Sequence, residues 1–330
     1  MIVTRTPFRI SFFGGGTDYP AWFQEHGGAV FATTIDKYCY ISCRYLPPFF
    51  EHKYRIVYSK IENVVDPAEI QHPAVRSVLQ FLDCKVGLEI HHDGDLPARS
   101  GLGSSSSFTV GLLNALKALE GRYISKEELA RLAIHIEQNV IKENVGSQDQ
   151  VSATYGGFNR IEFLRDGTLR VDPIILHSDR LESFQNNLML FFTGFPRIAS
   201  EIAKSKIDNI PRRTSELMKI KGMVGEAIAI LHGNDSLDAF GHLLDQGWQY
   251  KKSLSNKVST DNIDEIYTAA REAGALGGKL LGAGGGGFML FFIRPEDQSR
   301  VRMRLNKLVH VPFKFENSGS RVVLYQPNGL

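Results

Sequence analysis

The chain reads as an α+β protein with two domains, and three observations carry that reading. Its 330 residues exceed what one hydrophobic core commonly serves. Strand signals dominate up to about residue 176, and helical periodicity dominates beyond it. Strands and helices do not alternate strictly, which disfavours a doubly wound parallel sheet. The division falls near residues 176–186, giving domains of 1–180 and 181–330.

Residues 2–6 and 9–13 have the β-branched and aromatic content of strands, interrupted at Pro7. Residues 30–35, 39–45, 54–58 and 86–91 are further strands on the same grounds. Pro73 suits the first turn of a helix ending near Leu82. Phe108, Val110, Leu112, Leu113, Ala115, Leu116 and Leu119 recur at helical spacing, so a helix starts within the serines before them. Ser125 and Glu128 form a capping-box pattern ahead of a helix reaching about Lys142. Residues 158–164 and 171–176 form a hairpin around Asp166-Gly167. Residues 188–192 are a short buried strand, followed by helices over about 197–209, 211–231, 236–254 and 261–273. A strand, a glycine cluster and another strand span 276–293. A helix after Pro295 and a strand at 322–325 finish the chain.

Net charge is +2, with no long run of one sign, which argues against a nucleic-acid or membrane surface. Cys39, Cys43 and Cys84 show no C-x-x-C spacing and suit a reducing compartment. The first residues lack the order of a signal peptide, and no apolar run reaches the roughly 18 residues of a membrane span. A soluble, cytoplasmic protein is expected.

The most informative segment is Pro97-Ala98-Arg99-Ser100-Gly101-Leu102-Gly103-Ser104-Ser105-Ser106-Ser107. Two glycines spaced by one residue let the backbone approach a ligand. The helix that follows has unpaired first N–H groups and roughly half a positive charge at that end. Such a turn is suited to an anion, and phosphate is the anion it predicts. A single capping hydroxyl would satisfy an ordinary helix start, and four do not follow from that need.

A second cluster, Lys279-Leu280-Leu281-Gly282-Ala283-Gly284-Gly285-Gly286-Gly287-Phe288, lies between apolar runs. Such glycine density costs entropy on folding. A plain hairpin does not need it, so the backbone approaches either a ligand or the first glycine loop. A third cluster runs Pro7-Phe8-Arg9-Ile10-Ser11-Phe12-Phe13-Gly14-Gly15-Gly16-Thr17-Asp18. Arg9 in that strand asks for an anionic partner. Thr17 and Asp18 emerge as groups for ligand hydroxyls, Asp18 alternatively as an Asx turn or cap. Glu137 and Asp149 are of the type that Mg²⁺ and a general base require, but taken alone such acids are more often surface residues. No G-x-x-x-x-G-K-[ST], H-R-D, D-F-G or H-E-x-x-H pattern occurs, and the glycines lack the order of a dinucleotide fingerprint.

In this order and at these distances, the three glycine clusters resemble the three motifs of the GHMP kinases. The resemblance covers almost the whole chain and rests most firmly on the middle motif. It implies an N-terminal domain like domain 2 of ribosomal protein S5, a ferredoxin-like C-terminal domain, and ATP between them. Ser106 and Ser107 stand where the family usually has alanines, and Gly15 and Gly16 stand where galactokinases usually show an acid and a histidine. In detail the three motifs and Gly146-Ser147-Gln148-Asp149-Gln150 look closest to the branch that phosphorylates the anomeric hydroxyl of D-glycero-D-manno-heptose 7-phosphate.

By resemblance, Arg99, Ser100, Gly101, Leu102, Gly103, Ser104, Ser105, Ser106 and Ser107 wrap the triphosphate, and Ser105 and Glu137 hold Mg²⁺. Asp149 takes the acceptor proton, with Arg9 neutralising the transferring group and keeping Asp149 charged. Gly15, Gly16, Thr17, Asp18, Gly284 and Gly285 face the sugar. Arg197, at a helix start, is the candidate for a phosphate already on the sugar. The 1,7-bisphosphate would serve GDP-heptose and a surface polysaccharide, capsule or lipopolysaccharide. A fucokinase, a mevalonate-type kinase and a non-catalytic nucleotide or sugar sensor are the competing readings. The oligomeric state is left open, a homodimer among the options.

Overall fold

The computed structural model describes residues 1–98, 100–194 and 199–327. Strand β1 (Ile2–Phe13) is continuous where a break was expected. Pro7 lies at a register shift in its pairing, where the ladder is already irregular, so its missing N–H disrupts little. Helix α1 (Pro20–His26) leads to β2 (Gly28–Tyr45), which merges two expected strands. The same irregularity leaves Asp36 and Lys37 outside the pairing with β1, hence the apparent gap. Next come β3 (Tyr54–Val57), β4 (Ile61–Val64), α2 (Pro73–Phe81) and β5 (Leu88–Gly94).

Helix α3 (Ser104–Leu119) begins inside the serine run, as expected, and lies across β1 and β2. The Thr4 hydroxyl donates to Gly111 O at 2.9 Å and the Ser107 hydroxyl to Pro7 O at 2.9 Å, seating the helix on β1. Helix α4 (Lys126–His135) is capped by Ser125, which accepts from Glu128 N. It does not run regularly to Lys142, because residues Ile136–Val140 form a wider π-type turn that buries Glu137. Then come α5 (Gln148–Tyr155) and the hairpin β6 (Phe158–Phe163) and β7 (Leu169–Pro173).

Helix α6 (Ser178–Asn186) was not foreseen, since Phe184 is its one fully buried residue and gives little periodicity. The second half continues with β8 (Leu188–Phe192), α7 (Ala199–Asn209), α8 (Thr214–His232), α9 (Asp238–Ser253) and α10 (Asp261–Glu272). It ends with β9 (Ala275–Leu280), β10 (Phe288–Ile293), α11 (Gln298–Arg304), β11 (Val309–His310), β12 (Phe315–Glu316) and β13 (Arg321–Tyr325).

Two sheets result. A nine-stranded sheet has the path β13-β1-β2-β5-β3-β4, with β12 and β6 also on β2 and β7 on β6. A four-stranded antiparallel sheet has the order β11-β8-β10-β9. The C-terminal tail crosses the division expected at residue 180, because β12 and β13 return to the first sheet. Sequence alternation marks these strands but cannot name their partner, and their return covers an edge of β1.

Phe12, Phe31, Phe158, Phe184, Phe240 and Phe292 form one aromatic cluster joining the halves, with Phe184–Phe240 ring centroids 4.6 Å apart and Phe12–Phe240 5.7 Å. Each buried ring stabilises by about 1.5–3 kcal/mol, so this cluster fixes the halves around the cleft between them. Among the described residues no helix is long and apolar enough to cross a membrane.

Candidate active site

Between the two halves lies a cavity of about 600 Å³. The glycine clusters meet there. Gly101 has φ +88°, and a Cβ on it would stand 2.7 Å from Leu281 O; a Cβ on Gly282 would stand 2.5 Å from the Gly101 Cα. Phe288 N also donates to Ser100 O. The last glycine loop thus approaches the first, one of the two alternatives left open by its composition. Gly103 caps α3 in a left-handed conformation with no side-chain cap bond, so the helix start presents backbone donors toward the cavity wall.

Arg9 is buried at 4% exposure in β1. Its Nε donates to Asp149 Oδ1 at 2.8 Å, Nη2 to Asp149 Oδ2 at 2.9 Å, and Nη1 to Gly101 O at 2.7 Å. One guanidinium therefore ties the acid of α5 to the first glycine loop, in the paired geometry a planar fork allows.

Glu137 is also buried. Its Oε2 accepts from Ser106 Oγ at 2.8 Å and from Gln150 Nε2, while Oε1 has no partner among the described residues. Burial pushes its carboxyl up to about 7 against the lowering effect of these bonds. The hydroxyl bonded to it is that of Ser106, whereas Ser105 was expected to share a metal ion with Glu137. A residue step on α3 turns the side chain by about 100°, which aims Ser106 inward and leaves Ser105 exposed at the cavity wall.

Asp18 is buried, with Oδ1 accepting from Gly16 N at 2.9 Å and Oδ2 from Gln148 N at 3.2 Å. Burial is the main cause that raises its carboxyl above the usual carboxylate value. It caps α5 and ties the first glycine turn to the approach to Asp149, while still lining the cavity. A Cβ on Gly146 would stand 1.9 Å from Asp18 Oδ2, so glycine is required there.

Of the residues expected at the site, Arg9, Gly15, Gly16, Asp18, Gly101, Gly103, Ser104, Ser105, Asp149 and Gly284 line one cavity. Others are corrected. Thr17 is fully buried, its hydroxyl shared among Gly14 O, Ala29 O and Ala29 N, and it holds a turn instead of a ligand. Gly285 faces Ile202 and donates to Val258 O. Ser100 and Ser107 spend their hydroxyls on Pro97 O and Pro7 O, and the Leu102 side chain is core. Arg99 and Arg197 lie outside the described residues.

Four lysines that line the cavity were missed: Lys206, Lys251 and Lys279, and the exposed Lys142. Lys279 Nζ donates to Phe12 O at 2.7 Å, and Lys251 Nζ to Leu280 O and Gly282 O. Burial lowers the Lys279 amine to about 7 and the Lys206 amine to about 8, and lowers Lys251 strongly. A lysine inside the apolar strand β9 was a signal open to sequence reading, by the argument used for Arg9.

Comparison with known proteins identifies the family. The family profile described as GHMP kinases N terminal domain matches residues 70–157, and that described as GHMP kinases C terminal matches 227–310. The D-glycero-alpha-D-manno-heptose 7-phosphate kinase of Campylobacter jejuni is 30% identical over 319 residues, 93% of each chain. The chain belongs to the GHMP kinases. Its two-sheet α+β architecture is the two-domain fold of that family. A crystal structure of a D-glycero-D-manno-heptose 1-phosphate kinase from Bacteroides thetaiotaomicron superposes with a TM-score of 0.79 over 98% of both chains, at 24% identity. A bifunctional fucokinase/GDP-fucose pyrophosphorylase of Arabidopsis thaliana is 24% identical over 94% of this GHMP kinase, which spans 32% of that protein.

Proposed function

We propose that this GHMP kinase uses ATP to phosphorylate the anomeric hydroxyl of D-glycero-D-manno-heptose 7-phosphate. The observation that carries the chemistry is Arg9, whose three donors join the acid Asp149 to the glycine loop at Gly101. The choice of sugar rests on the full-length similarity to a kinase of that name.

Phosphoryl transfer asks the protein for position and charge stabilisation. The backbone donors at the start of α3 hold anionic oxygens. Asp149 takes the proton of the acceptor hydroxyl, and Arg9 places Asp149 while facing the transferring charge. The residues fit Mg²⁺: Glu137 offers an unpartnered buried oxygen, with Ser106 beside it and Ser105 at the cavity wall. When bound, the metal neutralises phosphate charge. Lys251 and Lys279 pin the last glycine loop and Phe12, which closes the cavity on that side. We place the reaction in the cytoplasm, where ATP is present and where Cys39, Cys43 and Cys84 stay unpaired. The product is suited to nucleotide activation for a surface polysaccharide.

The test is an ADP-release assay over heptose 7-phosphate, free heptose, fucose and mevalonate, with Mg²⁺. Preferential turnover of heptose 7-phosphate supports the reading; preferential turnover of fucose or mevalonate assigns another branch of the family. ATP binding without turnover of any acceptor would favour a sensor.

A further inference from the structure

We propose that Lys206 holds the phosphate already carried by the acceptor and so selects a phosphorylated sugar over the free one. This rests on the kinase reading above and assigns one residue to its substrate choice.

Ile202 and Ala203 on α7 and Ile210 just beyond its end are buried, and Lys206 shares their face at helical spacing. Ala203 and Lys206 both line the cavity, so this lysine brings its charge inward. Lys142 also lines the cavity but is exposed to solvent, and the other inward-facing cations have partners. Arg9 holds Asp149 and Gly101 O, Lys279 holds Phe12 O, and Lys251 holds two carbonyls. Lys206 makes no hydrogen bond or ion pair with any described residue. The two nearby acids are engaged elsewhere, Asp149 by Arg9 at both oxygens and Asp18 by backbone N–H groups, and neither forms an ion pair with Lys206.

The balance of charge points the same way. Arg9, Lys142, Lys206, Lys251 and Lys279 face Asp18, Asp149 and Glu143 around one cavity. A desolvated amine without a partner is costly, and an anion of the ligand removes that cost. The location separates this anion from the triphosphate. Lys206 comes from the second half and is attracted by Asp18 and Asp149 on the acceptor side, whereas the backbone donors proposed for the triphosphate come from the start of α3. The anion at Lys206 therefore belongs to the acceptor. Burial holds the Lys206 amine at about 8, so a bound phosphate dianion draws a proton onto it near that pH.

The experiment compares the full chain with Lys206→Met and Lys206→Arg, their folding checked by thermal melting. Heptose 7-phosphate and free heptose are the acceptors. Lys206→Met should raise KM for heptose 7-phosphate about 10- to 100-fold, the usual range for one charge-assisted contact. KM for ATP and turnover of free heptose should stay within about threefold, and Lys206→Arg should recover most of the loss. Titration of heptose 7-phosphate alone at pH 8, in buffers of different ionisation enthalpy, should show proton uptake by the unmodified chain and less by Lys206→Met. Equal losses on both sugars, a matching rise in KM for ATP, or an unchanged KM would overturn the assignment. If the unmodified chain turns over neither sugar, the kinase reading fails. The titration then decides Lys206 by itself, and unmodified protein that does not bind heptose 7-phosphate overturns this proposal too.

Discussion

Replacing Asp149 by Asn probes the proposed base through geometry already fixed by Arg9. Both carboxylate oxygens accept guanidinium N–H groups, at 2.8 and 2.9 Å. An amide can supply one acceptor, but its NH₂ would then face an Arg9 donor. One charge-assisted bond is lost, at a cost of roughly 1.5–3 kcal/mol. Arg9 keeps its 2.7 Å bond to Gly101 O, so the glycine loop remains anchored. Removing the base costs a further factor of about 10²–10⁴ in rate, equivalent to roughly 3–5 kcal/mol of barrier. Nucleotide affinity should hold or tighten, because the cavity loses a negative charge beside Arg9 and four lysines. Steady-state ADP release gives kcat, and calorimetry gives ATP affinity. A kcat within about threefold of the unmodified chain would refute the role of Asp149, being far below the loss of a base. Equal losses in kcat and ATP affinity would refute the separation of acceptor and nucleotide sides.

Two other substitutions test neighbouring assignments. Thr17→Ala should lower Tm by several degrees, since it leaves a buried N–H and carbonyl short of a partner at about 1–3 kcal/mol. KM for the acceptor should stay within about twofold, and a large rise in KM with Tm unchanged would restore Thr17 as a ligand group. Glu137→Gln should trade activity for stability. The Glu137 carboxyl is raised to about 7 in the folded chain from 4.5, so its stabilising contribution is complete below pH 4.5 and is lost as pH rises through 7. The amide avoids that loss and can place its NH₂ where Oε1 lacks a partner. Denaturant unfolding should show the variant gaining on the unmodified chain between pH 5 and 8 while Mg²⁺-dependent turnover falls. A stability difference independent of pH would contradict a Glu137 that is buried and protonated.

Much of this site was legible because its chemistry is local. Glycine density and a serine run mark the loops whatever their partners, and Arg9 in a strand announces an anion. Asp149 emerged only through resemblance, since an acid between two amides reads as surface. The remainder depends on tertiary neighbours. Lys206 on a helix reads as a solvated charge until the packing of Ile202 and Ile210 fixes which face turns inward. Ser105 and Ser106 differ by one step on α3, and only the position of Glu137 decides between them. Thr17 looked ligand-facing because the sequence does not show that β2 brings Ala29 against it. The strand at 322–325 was read correctly and β12 was not, and the return of both to the first sheet is a property of the whole fold.

The most direct test mixes the chain with ATP, Mg²⁺ and D-glycero-D-manno-heptose 7-phosphate and follows the phosphorus resonances. One new phosphate signal coupled to the anomeric proton is expected, growing in step with ADP and leaving the 7-phosphate signal in place. Free heptose should turn over far more slowly under the same conditions. A new phosphate on another carbon, equal turnover of free heptose, or ADP without a phosphorylated sugar would contradict it.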